Sequence, residues 1–195
     1  MFVLVASMAG CADFPFFAPA EKTAGVTWDT RLEDLYRFQR WSIHGHLAVQ
    51  AGDEGWSATL YWDQDNQNYM LRFVAPLGQG TYHLSSDEGK VMLLTPDNKV
   101  YRATDAAHLL QDNLGWSVPL QGLKYWVKGV PEPGITTDNL LLDDQGRMTD
   151  LQQSGWRISI LSYGEFSGME LPSRLFMQND RFKLRLAVLD WKTTL

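Results

Sequence analysis

No run of lysine and arginine in this chain is longer than a pair, and the 195 residues carry a formal net charge of -6. With no basic stripe to neutralise phosphates, nucleic acid is not an expected partner. G-x-S-x-G, P-loop and G-x-G-x-x-G patterns are all missing, which removes the familiar nucleophile and nucleotide signatures. Glu165 and Glu170 lie close in sequence, but that spacing says nothing about their separation in space, so they make no case for paired-carboxylate catalysis. His44-Gly45-His46 places two imidazoles on one face of a strand with no third ligand at a recognisable spacing; a polar strand face is the reading. Asp143-Asp144-Gln145-Gly146 lacks the remaining ligands of a cation loop and reads as a turn. The expectation is a protein that is not an enzyme and needs no cofactor or metal.

Cysteine is nearly absent as well. The one residue, Cys11, follows ten residues without charge, MFVLVASMAG, that end in small side chains. The segment is shorter than the roughly 20 apolar residues that cross a bilayer, and it has the character of the end of a secretory signal. Met8-Ala9-Gly10-Cys11 resembles a bacterial lipobox, in which cleavage leaves an acylated cysteine at the new N-terminus. Residues 1–10 are therefore expected to be signal and Cys11 a lipid anchor, whose acyl chains, at about 0.8 kcal/mol per buried methylene, would hold the chain to a membrane. The first charged residue is Asp13 and the first lysine Lys22, so the basic start of the signal is expected to lie upstream of residue 1. Ala12 rather than aspartate follows the cysteine, which favours the outer membrane. Residues 11–26, with Pro, Ala and Gly and no sustained period, read as lipidated N-terminus and tether, and residues 27–195 as one folded domain.

Within that domain, WDTRLEDLYRFQRW (residues 28–41) places Leu32, Leu35 and Tyr36 at helical spacing and predicts an amphipathic helix. The period then changes to two. Trp56, Ala58, Leu60 and Trp62 alternate with Ser57, Thr59 and Tyr61, and similar runs cover residues 69–74, 81–85, 90–94 and 100–103. Thr104 can cap a short helix through Ala106, Leu109 and Leu110, and Ser117 a second one in which Leu120, Leu123, Trp126 and Val127 form a stripe. Strands resume over 140–142, 147–153 and 156–161, and a closing hairpin turns at Asn179-Asp180, with Phe182, Leu184, Leu186 and Val188 on one side of its last strand. Eight Trp, seven Met and nine Phe in an acidic chain supply enough apolar surface for a lined cavity beneath the helices, formed by Trp62, Phe73, Met92, Leu123, Trp126 and Leu184. The class is mainly β (α+β), a curved antiparallel sheet or barrel partly plugged by helices.

LYRFQRWSIHGHLAV, LYWDQ, YMLRFVAPLGQGTYHL, PLQGLKYWVKGVP, LDDQGRM, GWRISI and RFKLRLAVLDW together resemble the LolB family of outer-membrane lipoproteins, over nearly everything from Cys11 to Trp191. Ala75 stands where that family often has asparagine, and His44 near a place where it often has arginine. The resemblance implies an unclosed antiparallel β-barrel with a helical lid over an apolar cavity. It implies a monomer that takes acylated cargo lipoproteins from the periplasmic carrier LolA, holds their acyl chains, and inserts them into outer-membrane phospholipid. It also gives Pro76-Leu77-Gly78 a role, as a loop whose leucine protrudes and helps to deliver cargo to the bilayer. A non-catalytic structural envelope lipoprotein with no transfer role is the alternative.

Overall fold

The computed structural model describes residues 27–193; Cys11, the expected signal and the tether lie outside them. Helix α1 (Trp28–Arg37) leads into strands β1 (Arg40–Ala51), β2 (Glu54–Asp65), β3 (Asn68–Val74), β4 (Thr81–Asp87), β5 (Lys90–Leu94) and β6 (Val100–Ala103). Helices α2 (Ala106–Leu114) and α3 (Leu120–Trp126) follow, then β7 (Thr137–Leu142), β8 (Met148–Gln153), β9 (Trp156–Phe166), β10 (Met169–Gln178) and β11 (Phe182–Thr193). The eleven strands form one sheet in the order β6-β5-β4-β3-β2-β1-β11-β10-β9-β8-β7. All neighbours are antiparallel, and the first and last strands of the chain meet in the middle of the sheet. The edges β6 and β7 do not pair with each other, so the barrel stays open.

One face of this sheet is apolar because its strands alternate. Trp41, Ile43, Leu47 and Val49 of β1, Ala58, Leu60 and Trp62 of β2, and Leu184, Leu186 and Val188 of β11 are all buried. Each of the valine, leucine and isoleucine side chains contributes about 1.5–3 kcal/mol on leaving water. Gly45 sits where β1 and β11 slip register, and a Cβ there would stand 2.3 Å from the Ala187 carbonyl oxygen. Only glycine lets the two strands approach so closely. The connection from β6 to β7 joins the two free edges and carries α2 and α3, which lie over the apolar face. Gly115, left-handed at φ 77°, ends α2.

The predicted first helix stops at Arg37, four residues earlier than its apolar spacing suggested, because Trp41 and Ile43 belong to the period-two pattern of β1. Its end is secured from a distance: Lys128 Nζ donates to the carbonyl oxygens of Leu35 (2.6 Å) and Phe38 (2.9 Å), which the terminating helix leaves free. Asp105, not Thr104, caps α2, its side chain accepting from Ala107 N–H. Helix α3 begins at Leu120 after Pro119, so Ser117 caps nothing. Strands β7 and β9 run longer than predicted.

The outer face of the sheet is polar but uneven. Cα partners across β3, β2, β1, β11 and β10 place Val74, Thr59, His46, Ala187 and Arg174 in one row, and Ser57, Ala48, Arg185 and Phe176 in the next. Small side chains in the middle of these rows leave a groove of about 600 Å³ between larger neighbours.

Lys128 is 2% exposed, and burial, assisted by the Lys124 ammonium, pushes its pKa down from the ordinary 10.5 to about 8. The unfolded chain therefore binds more protons than the folded one between these values, and stability rises with pH there. From about pH 8 to 9.5 the unfolding free energy should climb by up to about 2 kcal/mol, and Lys128→Met should flatten the climb. Urea titrations across pH check this. Above about pH 10 the trend should reverse, since burial raises Tyr69 to about 12 and the unfolded tyrosine ionises first.

Candidate functional site

Between β3 and β4 the chain reverses in a loop closed by two backbone hydrogen bonds, Ala75 N–H to Gly80 O (3.0 Å) and Gln79 N–H to Pro76 O (3.2 Å). Pro76 fixes the first turn residue, and Leu77 follows at φ 55°, ψ 30°, a left-handed conformation. For a leucine this conformation costs roughly 1–2 kcal/mol. Gly78 (φ 75°) and Gly80 (φ 103°) continue the bend, and a Cβ on Gly80 would stand 2.4 Å from Pro96 Cβ, so the loop is braced against the neighbouring hairpin. Ala75 is buried beneath it. The result is a leucine 97% exposed at the tip of a rigid turn, more open to water than any other large apolar side chain described. Nothing in the packing rewards that placement, and strain held at such a residue is a sign of use.

The second feature is the space beneath the lid. Trp62, Phe73, Leu123 and Leu184 converge there with Leu47, Leu60, Leu71, Trp116, Val118, Leu120, Met177 and Leu186. The void they leave is about 20 Å³, room for roughly one water molecule and far too little for an acyl chain. Side chains of the lid itself occupy the interior. Trp116 is tilted against Trp56 at 5.4 Å and edge-on to Phe73 at 6.0 Å.

The lid is held unequally. At its α3 end, Gln153 is fully buried in β8; its Oε1 accepts from Trp126 Nε1 (2.9 Å) and Glu132 N–H (2.9 Å). Its Nε2 donates to the carbonyl oxygens of Glu132 (3.0 Å) and Ile135 (3.0 Å). Lys124 Nζ reaches Gln67 Oε1 at 2.7 Å, and Lys128 holds the end of α1. Desolvation lowers the pKa of Lys124. At the other end, between α2 and α3, the Trp116 indole N–H is buried with no hydrogen-bond partner among the described residues. A buried donor left so costs about 1–3 kcal/mol, which makes this part of the lid the cheaper one to lift.

Four of the six predicted cavity residues therefore meet: Trp62, Phe73, Leu123 and Leu184. Met92 does not join them. In KVMLL both alternating sets are apolar, and the register of β5 turns Val91 and Leu93 inward, leaving Met92 exposed on the opposite face. Trp126 is buried but stands apart, bound to Gln153 and tilted against Trp156 at 6.4 Å. Pro76, Leu77 and Gly78 lie together in the turn between β3 and β4. His44 stacks on Tyr61 (4.6 Å, 11°), with the Arg72 guanidinium over the same ring at 3.9 Å, and Asp143 accepts from Arg147 in a turn. Trp116 and Gln153 are the residues that sequence reasoning missed. A lone tryptophan in GWSVP has no period to reveal it, and glutamine in a strand gives no sign of burial.

A half-open antiparallel barrel with a helical lid is the class of protein this fold defines, and comparison with known proteins agrees. Residues 39–191 match the family model described as outer membrane lipoprotein LolB. The chain is 35% identical over 185 residues to the outer-membrane lipoprotein LolB of Nitrosococcus oceani, covering 95% of this chain and 92% of that protein. It is also 35% identical over 195 residues to the LolB of Pseudomonas putida (strain GB-1), covering 98% and 93%. Among solved structures, a LolA superfamily protein from Nitrosomonas europaea aligns with TM-score 0.53 at 10% identity, over 87% of this chain and 94% of that one. That likeness concerns the fold. The chain belongs to the LolB family of outer-membrane lipoproteins, and its place is the lipoprotein localisation pathway at the outer membrane.

Two stability measurements test this geometry. Leu77→Asn, which suits a left-handed residue, should raise the unfolding free energy by about 0.5–1 kcal/mol although it removes an apolar side chain. Gln153→Leu should lower it by about 3 kcal/mol, because the Trp126 and Glu132 donors lose their acceptor. Urea denaturation reads both; a destabilised Leu77→Asn would contradict the strain.

Proposed function

We propose that this chain accepts acylated lipoproteins from the periplasmic carrier LolA by taking their acyl chains under its lid, then passes them to outer-membrane phospholipid through the Leu77 loop, itself anchored by lipid at Cys11. The observation that carries this reading is a leucine fixed in a strained, fully exposed turn beside an apolar interior closed only by a lid. Such a receptor breaks no covalent bond and needs no cofactor; direction comes from differential affinity alone.

The lid opens at Trp116 and stays fastened at Gln153. Lifting the segment between α2 and α3 withdraws Trp116 and Val118 and exposes Phe73, Trp62 and Leu184 to an entering chain, while the far end of α3 keeps its hydrogen bonds. Each cargo methylene that takes the place of a lid contact contributes about 0.8 kcal/mol, and about 1.4 kcal/mol gives a tenfold preference over the carrier. Two better-buried methylenes suffice to draw cargo forward. The bilayer, which buries the whole chain, then draws it further. Leu77 enters the membrane with about 1.5–3 kcal/mol of burial, too little to anchor a protein and enough to bias the last step.

The test uses the chain from residue 12, which retains all core residues from Leu35 to Trp191, mixed with acylated lipoprotein on the carrier. Pull-down on separate tags should find cargo on this protein. Leu77→Glu should accept cargo equally and fail to deliver it to vesicles. Cargo remaining on the carrier beside a folded wild-type chain would leave the structural-lipoprotein alternative in front, and normal delivery by Leu77→Glu would remove the loop from the mechanism.

A further inference from the structure

The groove on the outer face is not explained by the lid or by acyl-chain transfer. It begins at Val74 and Pro76, the foot of the Leu77 loop, and its lining includes Arg174, Arg185, His46 and the 65% exposed Leu161, with no carboxylate. Among the described residues, neither guanidinium has an ion-pair or hydrogen-bond partner. Arg185 is steadied only by the ring of Phe176, 5.5 Å away. In a chain of net charge -6, two arginines without counter-ions around a groove floored by small side chains are an unusual concentration of positive charge.

From this we infer that the groove is a docking site for the anionic headgroups of membrane phospholipid, engaged while the Leu77 loop is inserted. Position supports it as well as charge. Leu77 lies three residues past Val74, and three residues span at most about 10 Å. Arg174 is in the row of Val74, and Arg185 one row, about 7 Å, further back. An apolar side chain seated about 5–10 Å into the headgroup and acyl boundary therefore brings Arg174 to the level of the phosphates. Arginine's planar fork suits phosphate oxygens, and the apolar Leu161 and Val74 can meet the glycerol and first methylenes. The site rests on the reading of Leu77 as the membrane-facing tip, and it adds to it a preference for lipid charge and a fixed orientation of the barrel.

The experiment is vesicle flotation of the chain from residue 12. One set of vesicles is phosphatidylcholine alone, and in the other about a quarter of the lipid is phosphatidylglycerol, which supplies the surface potential. The wild type should favour the anionic vesicles, and Arg174→Ala/Arg185→Ala should lose about tenfold or more of that affinity while keeping its binding to phosphatidylcholine. Lys90→Ala/Arg102→Ala, at the far edge of the sheet, removes the same charge and should change little. Equal loss in both pairs, or absence of an anionic preference, overturns the site. Displacement from the vesicles by millimolar inorganic phosphate at constant ionic strength would assign the groove to free phosphate instead. Arginine variants that bind vesicles normally but lose affinity for the carrier would assign it to a protein. Leu77→Glu separates the two readings: it should weaken binding to both vesicle types, and if it weakens neither, the loop reading fails whatever the arginines do.

Discussion

Every feature of this structure depends on how an open sheet covers its own apolar face. Eleven antiparallel strands with two unpaired edges cannot bury that face against themselves, as a closed barrel would. The covering comes from the single connection that links one edge to the other. Because that connection carries α2 and α3, the interior is sealed by a segment tied to the sheet at both ends and packed on it between them.

The fastenings of that cover differ in kind. Near α3 they are polar, buried and mutually satisfied, with one glutamine serving four backbone or indole groups and a lysine terminating α1. Near Trp116 they are apolar contacts and one donor without an acceptor among the described residues. Hydrogen bonds fix direction, whereas apolar contacts accept substitutes, and an alkyl chain is a good substitute for a tryptophan face. Under the proposed function, this asymmetry would make the α3 end a hinge and the Trp116 end a gate.

Much of the fold was legible in the sequence because alternation is a local property. WSATLYW and RFKLRLAV declare their inward sets directly, and the Pro-Leu-Gly turn declares a leucine out of place. Legibility failed where two periods overlapped, as in residues 28–41, whose tryptophan and arginines fit a helix and a strand equally. It failed again in KVMLL, where both faces are apolar and only the register of β5 decides. Trp116, Gln153 and Lys128 could not be read at all, since each acts through partners 18 to 93 residues away or through packing across the sheet. The outer groove is similarly invisible, assembled from small residues on separate strands that share nothing but a row.

The filled interior has a further consequence. An acceptor whose greasy lining stood open to the periplasm would stick to other chains and soak up stray fatty acids and lysolipids. Under the proposed function, Trp116 and its neighbours would stand in for the ligand in the empty protein, and only a donor that brings a chain to the lid would exchange with them. Selectivity would then arise from the order of events rather than from the shape of a pocket.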